Sequence, residues 1–487
     1  MTKKEDSQIK QKTAKGLLWG GIGSGAMQLL NFLFGIFLAR LLTPADYGIV
    51  GALVIFSATA GVLSESGFTL AIVNKREAAD RDYNAVFWFN ICAAAGLYAL
   101  LYLLAPLIAR FYHTPEMVPL ARFLFLGFVF GGVATAPSAY LFRNLKVKER
   151  SLAQIMAVVV SGTAGVACAF SGWGYWGIAL QTVLYSLTNA IVLWIYCPWR
   201  PSLSFSGEAL RSMLPFSMRQ LVTTLFTHFN NNFFSVLLGR FYTMRLTGFY
   251  TQGNKWTNMG YSTIIGMINS VGQPVLRQTA TDSPERLRAV FGKMLRFTAF
   301  VSFPAMFGLA IIAADLITIT VTEKWLDCVP VIRILCAGGA FLPVNMLFAN
   351  LFNSLNRPNI YMWNTIALGT VQLLCVLITY RFGLNTMLAV YSAVNILWLF
   401  VWQHFARRHA GIRLRDVLRD IAPYLFISLA VMALTVIITS PLASMPAAAL
   451  AAKVIVAAAL YCLILWRLNS VMFAECIDYL FKRHKNK

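Results

Sequence analysis

Apolar runs separated by short polar breaks fill the chain from about residue 14 to residue 466. A run of 18 or more apolar residues, wound as a helix rising ~1.5 Å per residue, can cross a hydrocarbon core of ~30 Å. The pattern predicts helices over 14–42, 45–73, 85–109, 119–142, 152–171, 174–197, 214–239, 245–274, 293–321, 328–353, 360–380, 384–406, 421–440 and 446–466. The expected fold is therefore all-α, a polytopic membrane protein of about fourteen transmembrane helices. The outer loops are short, so function is expected inside the membrane or at its immediate surface.

The pattern also repeats. Asn31, Phe34, Leu38, Arg40, Thr43 and Gly48 return as Asn231, Phe234, Leu238, Arg240, Thr243 and Gly248. Polar positions match as well as apolar ones, and both copies span the junction between two long runs. Six spans separate the copies, so both cross in the same direction and the repeat is parallel. This predicts an N-lobe over 1–198, a polar linker over 199–212, a C-lobe over 213–410, and two further helices with a tail over 411–487. The stretch from Glu208 to Arg211 could form a short surface helix, and the tail beyond Arg467 is amphipathic, suited to the inner surface.

Polar residues within hydrocarbon are costly, so a polar stripe along a span faces a bundle interior or water. In the first span Ser24, Gln28, Asn31 and Gly35 share one helical face. The seventh span carries Ser217, Gln220, Thr224, His228, Asn231 and Ser235, and the eighth Thr251, Lys255, Asn258 and Ser262. Each such residue could equally knit one helix to another. Their concentration on the first two helices of each lobe favours a cavity.

Lys255 lies near mid-membrane, where an ammonium needs a counter-charge or water. Arg219, one turn into the seventh span, either meets a ligand from the inner side or snorkels to the interface. Arg40 and Arg240 stand at equivalent outer ends, as helix caps, interface anchors or gate residues. Glu65 is the one carboxylate deep in a first-lobe span, near its inner end, and is a candidate for gating or ion coupling. Asp315 and Arg333 are placed to pair across a hairpin, while Lys453 stands outside the repeated core. A cavity richer in cations than carboxylates favours an anion, above all a phosphate.

Composition supports this picture. Hydrophobic residues make up 58% and charged residues 12% of 487, against roughly 25% charged in a soluble domain, and the mean hydropathy is +0.65. The net charge of +22 would suit nucleic acid only if it were clustered on one domain. Instead the cations fall on alternate loops: Lys3 to Lys15, Arg143 to Arg150, Arg277 to Arg296, Arg407 to Arg419 and Lys482 to Lys487. This positive-inside bias puts both termini in the cytoplasm. The eight cysteines show no metal spacing and read as packing residues. No cleavable signal peptide is recognisable.

The run Leu38-Ala39-Arg40-Leu41-Leu42-Thr43-Pro44-Ala45-Asp46-Tyr47-Gly48 resembles the opening signature of bacterial polysaccharide flippases. So do Ser66-Gly67-Phe68 with Val73-Asn74-Lys75-Arg76-Glu77, Phe303-Pro304 followed by Thr322-Glu323-Lys324-Trp325, and Ser354-Leu355-Asn356-Arg357-Pro358-Asn359. The resemblance covers most of residues 12–410. It is nearest to the colanic-acid-exporter-like branch of the multidrug/oligosaccharidyl-lipid/polysaccharide (MOP) exporter superfamily. One departure is Thr322, where the family usually has glycine.

The resemblance implies two six-helix lobes around a central cavity, often with two extra C-terminal helices. It also implies a substrate, an undecaprenyl-pyrophosphate-linked oligosaccharide moved across the bacterial cytoplasmic membrane by alternating access. Lys255 and Arg219 would neutralise pyrophosphate, and Gln28, Asn31, His228, Asn231 and Asn258 would bind sugar hydroxyls. A glycan polymerase and glycosyltransferases are candidate partners, and H⁺ or Na⁺ a candidate coupling ion. No cofactor is expected, and no Gly-x-x-x-x-Gly-Lys-[Ser/Thr] loop for a nucleotide occurs.

Three rivals stand beside this reading. A drug–cation antiporter of the same superfamily would want a buried carboxylate in the first helix, and none is present. A membrane enzyme of glycan assembly would want catalytic groups on a sizeable outer loop. A scaffold for glycan assembly would need no cavity at all.

Overall fold

The computed structural model describes residues 3–65, 68, 71, 72, 75, 78–144, 146–442 and 444–482. Within the helices the side chains of 3–18, 20–22, 55, 58–65, 216, 219, 220, 222, 223, 226–231, 270, 271, 273, 274, 280–282, 358 and 479–482 also lie outside the described residues. Glu65, Arg219, His228 and Asn231 are among them.

All regular structure among the described residues is helical. In order the helices are α1 (Lys3–Leu41), α2 (Pro44–Glu65), α3 (Asp80–Phe111), α4 (Met117–Arg143), α5 (Val147–Phe170), α6 (Trp176–Tyr196), α7 (Gly207–Phe241), α8 (Met244–Asp282) and α9 (Pro284–Val321). A 3₁₀ turn (Glu323–Cys328) leads into α10 (Val329–Gly339), followed by α11 (Leu342–Ser354), α12 (Pro358–Thr379), α13 (Leu384–Ala410), α14 (Leu414–Thr439), α15 (Pro446–Arg467) and α16 (Val471–Lys482).

Among the described residues, eleven segments are long and apolar enough to cross a membrane. The expected spans 45–73, 214–239 and 245–274 coincide with α2, α7 and α8, which are long helices outside those eleven. The expected span 328–353 is broken into α10 and α11. Pro343 has no N–H to continue the ladder, and the chain turns at Ala340 and Phe341. The stretch Glu208–Arg211 is the first turn of α7 rather than a separate helix, capped by Ser206, whose side chain accepts from Ala209 N–H at 3.3 Å.

The chain divides into two compact units, Met1–Gly248 and Phe249–Lys487. In the first, α7 packs along α2 and α3, so contact places it with the helices that precede it. In the second, α9 is the spine. Arg296 pairs with Asp420 of α14 at 2.8 Å, Tyr461 of α15 donates to the Phe300 carbonyl at 2.9 Å, and Lys293 meets Glu475 of α16 at 2.8 Å. The last two spans are thus built into the second unit. Asp315 pairs with Lys453 of α15 at 2.5 Å, not with Arg333, whose Nε donates to the Ala310 carbonyl. Periodicity could not foresee this, because the partner is 138 residues away.

Proline inside a helix frees the carbonyl four residues earlier, and in hydrocarbon that carbonyl needs a donor. Three internal prolines are satisfied this way. Pro106 frees the Tyr102 carbonyl, taken by Arg122; Pro137 frees Val133, taken by the Trp194 indole at 3.1 Å; Pro304 frees Phe300, taken by Tyr461. Each donor sits on a neighbouring helix, so each of these bonds is also an interhelix tie.

Candidate functional site

In the first unit α1 shows three faces. Gly23 and Gly162 have no room for a Cβ against Ser151 and Phe34, so α1 lies tight on α5. Leu29, Leu33 and Phe37 are exposed, an apolar face suited to lipid. Ser24, Gln28 and Asn31 are exposed on a third face. Gln28 and Asn31 make no hydrogen bond among the described residues. Polar groups left open on a spanning helix need water or a ligand.

The seventh span contributes Thr224 and Ser235 as partly buried residues of α7, while Arg219, His228 and Asn231 lie outside the described side chains. Arg40 and Arg240 stand in the last turns of α1 and α7. Arg40 is exposed. Arg240 meets His113 Nε2 and covers the Phe111 ring at 5.4 Å, an interface anchor between α7 and the loop after α3.

The second unit carries the clearest site. Lys255, Asn258 and Ser262 are all exposed on α8. They fall within about 60° of one another at 3.6 residues per turn. The opposite face is packed by small residues. A Cβ on Gly253 would lie 2.8 Å from Val331 of α10, and one on Gly260 would lie 3.1 Å from Met306 of α9. Close packing there turns Lys255 outward.

Two helices show what that exposure means. On α3 the exposed row is Leu100, Leu103 and Leu107, at 52%, 74% and 58%. On α8 the exposed row is a lysine, an asparagine and a serine. Lipid suits the first row and would penalise the second by several kcal/mol, about 3 for the lysine alone. The α8 row is therefore suited to water or a polar ligand rather than to lipid. Lys255 lies about 16 Å along the helix from Met244, and among the described residues no carboxylate pairs with it.

Several polar residues that carry no periodic signal are brought together deep in the second unit. Gln372 of α12 donates to Asn395 of α13 at 3.0 Å, and Asn345 of α11 donates to the Asn395 carbonyl at 3.1 Å. All three are buried. The asparagine-rich run of α11 was the available hint, but only the fold supplies the partners. Cys197 is buried, in keeping with a packing role for that cysteine.

The family described as "Polysaccharide biosynthesis protein" matches residues 37–330, more than half of the chain. The chain belongs to this family. Among similar proteins, the lipopolysaccharide biosynthesis protein WzxC of Escherichia coli K12 is 24% identical over 359 residues, 72% of each chain. The teichuronic acid biosynthesis protein TuaB of Bacillus subtilis 168 is 24% identical over 333 residues, 68% of this chain and 69% of that one. The succinoglycan biosynthesis transport protein ExoT of Rhizobium meliloti 1021 is 20% identical over 334 residues, 69% and 67%.

Solved structures fix the fold. The lipid II flippase MurJ in an inward closed conformation superposes with a TM-score of 0.72 at 12% identity, over 93% of this chain and 99% of that one. An inward-facing MATE family multidrug transporter of the MOP superfamily gives 0.65 at 16% identity, over 79% and 94%. This member of the polysaccharide biosynthesis family thus shares the all-helical fold of these two structures.

Proposed function

We propose that the protein carries a polyprenyl-pyrophosphate-linked oligosaccharide across the bacterial cytoplasmic membrane by alternating access. The observation that carries this reading is the exposed polar row of α8 with an ammonium that has no carboxylate partner among the described residues. An accessible, unneutralised cation at mid-membrane suits a ligand that brings its own negative charge. Lys255 contacts the pyrophosphate as a point charge, with Arg219 as its second cation. Asn258, Gln28 and Asn31 offer both donors and acceptors to sugar hydroxyls, joined by His228 and Asn231 of α7. The polyprenyl chain stays in lipid. Both termini are cytoplasmic, and Glu65, Arg40 and Arg240 serve gating or ion coupling. The energy comes from an ion gradient or from consumption of the delivered glycan by a polymerase.

The names of the relatives support this reading, since they describe biosynthesis of lipopolysaccharide and teichuronic acid and biosynthesis and transport of succinoglycan. The drug–cation antiporter reading is disfavoured by one feature: the α8 row presents a cation where a cationic cargo would need a carboxylate. The deciding experiment is deletion of the gene in its host. Lipid-linked glycan should accumulate on the inner leaflet, and wild-type protein, but not Lys255→Glu, should clear it. Normal surface glycan with no accumulated intermediate would overturn the proposal.

A further inference from the structure

The exposed row of α8 does not stop at Ser262. It continues through Gly266 to Asn269, both exposed. Fourteen residues separate Lys255 from Asn269, two heptads, so the two side chains leave the helix within about 40° of each other and about 20 Å apart along its axis. Asn269 differs from the rest of the row in one respect. Its Oδ1 accepts a hydrogen bond from Nδ2 of Asn350 at 2.9 Å. Asn350 sits on α11 and is 5% exposed. It reaches α8 beside Gly272, where a Cβ would lie 3.2 Å from its Nδ2.

We infer that Asn269 and Asn350 form a second ligand subsite, in which the Asn269 amide N–H₂ donates to an oxygen of the glycan while Asn350 holds that amide in orientation. An amide has one acceptor end and one donor end. Asn350 occupies the acceptor end, so the exposed end is the donor. Among the described residues the Asn269 nitrogen makes no hydrogen bond. A fixed donor at an exposed point of a spanning helix recognises acceptor oxygens: hydroxyl, ring, glycosidic or carboxylate oxygens of a sugar chain. The 20 Å offset from Lys255 matches the reach of several sugar units beyond a pyrophosphate. Asn269 is a binding residue and Asn350 a positioning residue. This inference rests on the transport reading, since it needs a glycan in the site.

The test separates the lock from the donor. Asn269→Asp keeps the acceptor that Asn350 needs and loses the N–H₂; Asn269→Ala loses both. Purified full-length protein is titrated with two probes. One is undecaprenyl pyrophosphate without sugar, and the other is the undecaprenyl-pyrophosphate-linked oligosaccharide that accumulates in the deletion strain. Both variants should bind the sugar-bearing lipid about 3- to 10-fold more weakly, the range expected for one hydrogen bond, and bind undecaprenyl pyrophosphate like the wild type. Asn350→Leu frees the amide to turn over and should cost less, about 2-fold, again only with the sugar-bearing lipid. Lys255→Ala should weaken both probes.

Variants at Asn269 that bind both probes like the wild type, or lose both equally, would make the asparagine pair a helix contact and overturn the subsite. Failure of the wild type to bind either probe, or indifference of both probes to Lys255→Ala, would instead overturn the transport reading.

Discussion

Gly48 and Gly248 meet each other across the two copies of the repeat. A Cβ on Gly48 would overlap the carbonyl oxygen of Met244, and a Cβ on Gly248 would overlap that of Pro44. Pro44 and Met244 are themselves equivalent in the repeat, so the contact is reciprocal. The first turns of α2 and α8 cross here at backbone distance, and only glycine allows it.

Gly48→Ala and Gly248→Ala should each therefore destabilise the protein by about 2–3 kcal/mol, since the clashing atoms are backbone and no rotamer relieves them. Abundance in the membrane and thermal aggregation of the detergent-solubilised protein give the readout. Gly25, where a Cβ would meet nothing within 4 Å, is the control: Gly25→Ala should be neutral or slightly stabilising. Equal tolerance at Gly48 and Gly25 would contradict the crossing.

Lys255 should tolerate loss of charge structurally but not functionally. Lys255→Ala should leave abundance near normal and abolish surface glycan, because the ammonium has no carboxylate partner among the described residues to strand. Lys255→Arg should keep part of the activity, and Lys255→Glu should be worse than Ala. Surface glycan is measured in the deletion strain carrying each variant. Full activity of the Ala variant would pass the phosphate role to Arg219.

Lys453 should behave in the opposite way. It pairs with Asp315, and both are largely withdrawn from solvent, at 17% and 11% exposure. Lys453→Met leaves a carboxylate unpaired and should cost about 3 kcal/mol, while Lys453→Met with Asp315→Leu should recover most of it. Thermal stability of the single and double variants decides; an unrecovered double variant would mean the pair does more than neutralise itself.

Thr322 should gain from becoming glycine. Its φ of 82° and ψ of 166° lie in a region that essentially only glycine adopts. Thr322→Gly should stabilise by about 1 kcal/mol, the relief of strain being partly offset by the freer unfolded chain. A lower melting temperature for this variant would show that the threonine side chain compensates its own strain.

Topology is checked by reporter fusions. Those after Lys148, Arg288 and Arg415 should report cytoplasm, and those near Thr114, Gly172 and Lys324 the outer side. Reversal at two or more sites would sink the fourteen-span arrangement.

The motif departure at Thr322 shows where sequence reading stops. The substitution was visible as a difference from the family pattern, but its cost was not, because φ is a property of the folded backbone. The opposite holds for the row of α8. Lys255, Asn258 and Ser262 were legible from spacing alone, since 3.6 residues per turn puts them on one face whatever surrounds the helix. Asn269 continues the same face, but a lone asparagine beyond a glycine carries no signal in the sequence without Asn350 beside it. The Asp315–Lys453 pair escaped for the same reason, and a nearer cation, Arg333, was the plausible wrong partner.

The chain by itself determined the helices, the internal repeat and the surplus of cations in the candidate cavity. These depend on hydrophobicity, period and charge, which are local and additive along the sequence. Only the tertiary structure decided which polar residues are stranded and which are satisfied. It left Lys255 open, gave Asp315 to Lys453, handed the freed carbonyls of Pro137 and Pro304 to Trp194 and Tyr461, and brought Gly48 onto Gly248. Inside a membrane every polar group must find a partner, and the partner is chosen by distance in space, which separation along the chain does not report.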